Sequence, residues 1–369
     1  MKIEGRIVTP DGVIDGHLIA HDGRITEVRG HPAPDTLSPD GPTIVPGFVD
    51  LHNHGGAGGS FPTGTLDQAR RAALYHRAHG TTTMLASLVS ASPDDLIAQI
   101  TTLIPLAEEG LIHGFHLEGP YINASRCGAQ NPEFIYPGNP TDLARIIVSA
   151  GGWIRSITLA PETDNLEALL DLCSAHSIIC SFGHTDADFD LTCAGVDKAL
   201  ARGLTVTATH LFNAMPPVHH RAPGAAGALL LAAHEGRAYV ELVADGVHLH
   251  DAMVRLPQTN AFFVTDAMEA AGMPDGSYTL GRLDVTVVGG VARLTGGPIA
   301  GGTTTLAQQF RRHVGRGMAL IDATTFTSTT PARILDLPDH GIFEGAPLNL
   351  VVLDSNGTIL KVWTPGPIL

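Results

Sequence analysis

Cysteine is scarce in this chain: four in 369 residues, Cys127, Cys173, Cys180 and Cys193, with no CxxC pair. That excludes a disulfide scaffold and a zinc-finger reading, and it points to a reducing compartment. Long apolar runs are missing as well. No stretch approaches the roughly 18 residues of a spanning helix, and Met1-Lys2-Ile3-Glu4-Gly5-Arg6 lacks the apolar core of a signal peptide. A soluble, cytoplasmic protein is expected. Positive charge is also in short supply: 22 Lys and Arg against 37 Asp and Glu leave a formal charge of −15. Nucleic acid and anionic membranes would repel such a chain, so neither is expected as a partner, and any anionic ligand needs a local basic pocket.

What is present is an ordinary globular balance, 44% hydrophobic and 16% charged, with an unusual number of histidines, 19. Residues 1–45 read as short strands joined by tight Asp-Gly turns at Asp11-Gly12 and Asp22-Gly23, and 341–369 has the same character. The two ends are expected to form one small, discontinuous β domain, a β-sandwich. Between them, over 46–340, strand-length apolar runs alternate with Ala- and Leu-rich helical segments. The runs are Val45 to Leu51, Thr82 to Ser87, Ile112 to Leu117, Ile154 to Leu159, Ile178 to Phe182, Leu204 to Ala208, Tyr239 to Ala244 and Ala261 to Thr265. Eight such units imply an α/β fold, a (β/α)₈ TIM barrel. A doubly wound open sheet would show fewer strands and a glycine-rich phosphate turn after the first. Tyr278 to Leu294 reads as an inserted β-hairpin turning at Gly289-Gly290. There is no internal repeat.

Chemistry in such a barrel sits at the C-terminal ends of the strands. There the chain places His52 and His54, then His116 and Glu118, His184, His210 and Asp266. His52 and His54 are two apart and share a face, as do His116 and Glu118. An isolated HxH is more often a solvated pair than a ligand set, but histidines and carboxylates ending five different strands are hard to reach by chance. Imidazole and carboxylate donors without thiolate suit Zn²⁺ or Fe²⁺, with Mn²⁺ as a third candidate. Such an ion lowers the pKa of a water toward about 7 and polarises a carbonyl, which suits hydrolysis of a C–N bond. Asp266 is then the candidate general base.

Longer strings narrow the reading. Pro46-Gly47-Phe48-Val49-Asp50-Leu51-His52-Asn53-His54, His116-Leu117-Glu118-Gly119-Pro120, Phe182-Gly183-His184-Thr185, His210-Leu211-Phe212-Asn213-Ala214-Met215 and Val264-Thr265-Asp266-Ala267 together resemble the N-acetylglucosamine-6-phosphate deacetylase family of the amidohydrolase superfamily, over almost the whole chain. The resemblance implies one metal on Glu118, His184 and His210, and a second on His52 and His54, so one or two divalent ions per subunit. Many dinuclear amidohydrolases bridge their metals with a carboxylated lysine; here the lysines are Lys2, Lys198 and Lys361, none at a strand end, and Glu118 takes that place.

The resemblance also implies an amino-sugar phosphate as substrate, contacted by Asn213, Ala214 and Gln130. Gln130 departs from a common family pattern, in which a histidine contacts the acyl carbonyl; an amide can donate an N–H to a developing oxyanion, but not as a cation. His219-His220-Arg221 and His248 form a local cationic cluster suited to phosphate. By resemblance Arg221 reaches in from a neighbouring subunit, which implies a homodimer or a tetramer. The expected reaction is deacetylation of N-acetyl-D-glucosamine 6-phosphate. The alternatives are N-acetylgalactosamine-6-phosphate deacetylase, D-aminoacylase and cyclic amidase.

Overall fold

The computed structural model describes residues 1–257 and 259–364. Eight strands lie in one sheet in chain order: Phe48–Asp50, Thr81–Val89, Gly114–Glu118, Ile154–Leu159, Ile179–Phe182, Val206–Ala208, Tyr239–Leu242 and Ala261–Phe263. From Thr81–Val89 onward the pairings are parallel. Beyond the last strand the chain returns to the first: Asp266 N–H donates to His52 O at 2.8 Å, and His54 N–H to Ala267 O at 2.7 Å. This is the (β/α)₈ arrangement, with helices in the connections. Three of these helices start on side-chain caps: Ser92 accepts from Asp95 N–H, Asn139 from Thr141 and Asp142, and Asp188 from Leu191. In Pro93–Glu108 the helical spacing of Leu96, Ile100 and Leu103 buries one face. No helix among the described residues is long and apolar enough to cross a membrane, and all four cysteines are free.

By packing, the chain divides into two compact units: Met1–Asp50 with Leu74–Thr83 and Thr304–Leu369, and Leu51–Ala73 with Met84–Thr303. In the first, strands from both chain ends form a six-stranded sheet in the order Ile359–Trp363, Leu350–Leu353, Thr43–Pro46, Lys2–Thr9, Gly12–His21, Arg24–Pro32. Its core is Ile7, Leu18, Ile25, Ile44 and Leu350. Asp22 and Gly23 turn between paired His21 and Arg24 with φ of 48° and 74°, the handedness that Asp-Gly favours in a two-residue hairpin loop. In the second unit, Gly276–Leu280, Leu283–Val288 and Val291–Leu294 form a three-stranded antiparallel sheet. It turns at Gly289-Gly290 and packs Leu280, Val285, Val287 and Ala292 inward.

One apolar run divides. Val45 to Leu51 reads as a single barrel strand, but Thr43–Pro46 pairs in the six-stranded sheet and Phe48–Asp50 in the eight-stranded one. Gly47 is the joint. Pro46 has no N–H to extend a ladder, and a Cβ at position 47 would meet Thr82 Oγ1 at 2.1 Å and Asn349 Oδ1 at 2.2 Å. The Gly47 carbonyl accepts from Ser328 Oγ and His340 Nε2, each at 2.9 Å.

That bond puts the His340 proton on Nε2, and burial pushes the imidazole down from 6.5 to about 4. Between those values the unfolded chain binds a proton that the folded chain does not. Stability therefore rises with pH across this window and is lost as pH falls through it, by up to about 3 kcal/mol. Urea midpoints of the wild type and His340→Gln from pH 7 to 4.5 are expected to converge on acidification, the wild type losing more. Parallel curves would show that His340 does not carry the acid sensitivity.

Candidate active site

Five strand ends supply the site. The turns just beyond them carry His52 and His54, Glu118 ends its strand, and His184, His210 and Asp266 follow theirs. These last three have φ of 47°, 28° and 49°, a left-handed backbone that aims each side chain sharply out of its strand direction. Gly119, at φ 88°, turns the chain away from Glu118 where a Cβ would strike Ser90 Oγ at 2.2 Å.

The side chains converge in two groups. In one, Glu118 Oε1 lies 2.9 Å from His184 Nε2 and 3.0 Å from His210 Nε2, and these nitrogens are 3.0 Å apart. In the other, His52 Nε2 and His54 Nε2 are 3.0 Å apart, and Asp266 Oδ1 is 3.5 Å and 3.3 Å from them. Glu118 joins the two, its Oε1 3.6 Å from His52 Nε2 and its Oε2 3.2 Å from His54 Nε2. All six residues are buried.

The outer nitrogens decide what this cluster requires. His184 Nδ1 is 2.8 Å from Arg126 O, His54 Nδ1 3.1 Å from Ser87 O, and His52 Nδ1 3.2 Å from Glu241 Oε2. Each of these oxygens can only accept, so each Nδ1 carries the proton and each Nε2 presents a lone pair to its neighbours. Lone pairs of imidazole and carboxylate facing one another at about 3 Å repel unless a positive charge sits among them. Proton affinities respond to the same crowding. Burial opposes a charge on His52, yet Glu118 and Asp266 outweigh it and hold the imidazole well above its ordinary range. Burial would raise Asp266, but His52 and His54 hold it below the usual carboxylate range. The donor set fits a divalent metal ion.

Residues around the cluster sort clearly. His116 is not among the converging groups: its Nδ1 is 2.9 Å from Ser87 Oγ and its Nε2 2.8 Å from Thr158 Oγ1, and burial with the charge of His52 pushes it well below its ordinary value. Gln130 is buried, accepting Ser90 N–H at 2.7 Å and donating to Glu118 Oε2 at 2.5 Å. His248 Nδ1 donates to Asp245 Oδ2 at 2.8 Å, and its Nε2 is 3.9 Å from Asp266 Oδ2. Gln130, His248, Asn213 and Ala214 all line a cavity of 280 Å³ that includes Glu118, His184, His210, His54 and Asp266. Arg221 does not line it. Arg221 stands exposed, its Nη1 2.7 Å from His220 Nε2. Glu241, which no sequence motif singles out, accepts both from His52 Nδ1–H and, at 3.0 Å, from His210 N–H. Its signal was a lone acid inside the apolar run Tyr239 to Ala244.

Residues 43–369 match the model of the Amidohydrolase family. An N-acetylglucosamine-6-phosphate deacetylase of Bacillus subtilis (strain 168) is 32% identical over 96% of this chain and 93% of its own length. An N-acetylgalactosamine-6-phosphate deacetylase of Escherichia coli O157:H7 is 32% identical over 98% and 97%. Among solved structures, an Asp-to-Ala mutant of N-acetyl-D-glucosamine-6-phosphate deacetylase from Mycobacterium smegmatis, in complex with N-acetyl-D-glucosamine-6-phosphate, superposes with a TM-score of 0.91 at 39% identity, covering 99% of this chain and 97% of that one. The chain belongs to the amidohydrolase family and, within it, to the N-acetylglucosamine-6-phosphate deacetylases.

Proposed function

We propose that this chain hydrolyses the N-acetyl group of N-acetyl-D-glucosamine 6-phosphate, giving D-glucosamine 6-phosphate and acetate. One observation carries the reading: the cation-seeking cluster opens on the cavity of a chain related over its full length to a deacetylase solved with that substrate. Glu118, His184 and His210 would hold one ion and His52 and His54 a second, Zn²⁺ or Fe²⁺ with Mn²⁺ as the third candidate. Bound there, a divalent ion supplies Lewis acidity toward a water and a carbonyl oxygen.

The chain's own groups do the rest. Asp266 takes a proton from the attacking water as the C–O bond forms and returns it to the nitrogen as the C–N bond breaks, so acetate and the free amine leave. Gln130 commits one amide hydrogen to Glu118, leaving its second for the acyl oxygen. Asn213, Ala214 and His248 bind the sugar phosphate from within the chain. Arg221, exposed and outside the cavity of its own chain, reaches the site of a partner in a cytoplasmic homodimer.

The galacto epimer is the second reading, favoured by the E. coli relative at the same identity as the B. subtilis one. Acetate release from both epimeric 6-phosphates and from the unphosphorylated sugar, with and without chelator, tests the assignment. Chelator-sensitive turnover is expected with the gluco phosphate as the best substrate. Metal bound without turnover of any of the three would overturn the substrate and move the search to acylated amino acids and cyclic amides.

A further inference from the structure

We propose that Arg293 binds the phosphate from within the same chain and sets the preference for the phosphorylated over the free amino sugar; that the anion is a substrate's rests on the deacetylase reading. Arg293 lies on the last strand of the inserted sheet, Val291–Leu294. Its neighbour Ala292 packs into that sheet's core with Val285, Val287 and Ala300. Successive strand residues face opposite sides, so Arg293 turns away from this core, and it lines the cavity together with Glu118, His184 and Asp266.

The backbone fixes its position against the candidate base. Arg293 bridges Ile299, and Ala300 N–H donates to Ala292 O at 2.9 Å. The same segment then runs along Asp266: Gly302 N–H donates to Asp266 O at 2.6 Å and Met268 N–H to Gly302 O at 2.9 Å. A Cβ at Gly301 would come within 3.0 Å of Asp266 O, so this approach depends on glycine. A short hydrogen-bonded ladder therefore connects the guanidinium's strand to the residue that moves the proton.

Several surface arginines of this chain are already neutralised, Arg126 by Asp186, Arg145 by Asp94, Arg202 by Asp171 and Arg282 by Asp95. Arg293 is exposed and makes no ion pair or side-chain hydrogen bond with any described residue. Among the described residues lining the cavity it is the sole arginine or lysine, facing imidazoles and two carboxylates. On a chain of net charge −15, a dianionic ester entering that cavity gains from a cation of the same chain beside the partner's Arg221 proposed above, and the Arg293 guanidinium offers two parallel donors to phosphate oxygens.

The test uses metal-loaded wild type, Arg293→Ala and Arg293→Lys, with steady-state kinetics on N-acetylglucosamine 6-phosphate and the free sugar, and inorganic phosphate as a competitive inhibitor. In Arg293→Ala the ratio of kcat/KM between phosphorylated and free sugar is expected to fall about 10- to 100-fold, with phosphate inhibition weakened to a similar degree and Arg293→Lys in between. An unchanged ratio and unchanged phosphate inhibition would overturn the proposal while leaving the deacetylase reading in place. Phosphate bound through Arg293 by a wild type that deacetylates neither sugar would keep the anion site and overturn that reading instead.

Discussion

Asp266→Asn is expected to lower kcat by about 10²- to 10⁴-fold, the range in which a positioned proton-transfer group acts, while the Glu118, His184 and His210 group still binds metal. Asparagine matches aspartate in shape, and its side-chain oxygen can occupy the place of Oδ1, 3.3 Å from His54 and 3.5 Å from His52. What it lacks is basicity. The backbone that presents the side chain should survive, because Asp266 N–H donates to His52 O and Gly302 N–H to Asp266 O, bonds that do not depend on the side chain. Asparagine also tolerates the φ of 49° found here. Metal per chain by elemental analysis, beside acetate release at saturating substrate, separates the roles. Near-normal turnover with metal bound would remove Asp266 from proton transfer.

The second large effect is expected at Glu118. Its two oxygens face four imidazoles, Oε1 toward His184, His210 and His52 and Oε2 toward His54. Glu118→Gln keeps the volume but removes the negative charge that draws an ion into a buried site. Metal affinity should fall by more than the roughly 10- to 100-fold seen when a residue merely supporting a ligand is lost. Stability supplies an independent readout, since a ligand that binds only the folded chain stabilises it by about 2.7 kcal/mol at a hundred times its Kd. Chelator should lower the wild-type Tm and leave that of Glu118→Gln unchanged. A variant that retains its metal through dialysis and still loses Tm on chelation would show that Glu118 is not a ligand.

Much of this centre is legible in one dimension because barrel chemistry gathers where strands stop. His52, His54, Glu118, His184, His210 and Asp266 each end an apolar run, and the structure brings all six together. His116 shares the strand face of Glu118 and carries the same apparent signal. Only the hydroxyls of Ser87 and Thr158, brought to it by neighbouring strands, show that both its ring nitrogens are already engaged. Glu241 is the converse case, since its importance depends on His52 and the backbone of His210, both distant in sequence. The division of Val45 to Leu51 between two sheets escapes periodicity for a related reason. The constraint at Gly47 comes from Thr82 and Asn349, contacts that no local pattern encodes.

The left-handed backbone at His184, His210 and Asp266 bears on how this fold would respond to selection for heat resistance alone. Each such residue is held in a conformation costing roughly 1–3 kcal/mol, a cost that glycine largely escapes. At His184 and His210 the relief would be offset by the lost stabilisation of a bound ion, so Asp266 is where relaxing substitutions would accumulate in a screen blind to turnover. The sturdiest descendants would be inert barrels, so a thermostabilisation campaign needs an activity filter from its first round.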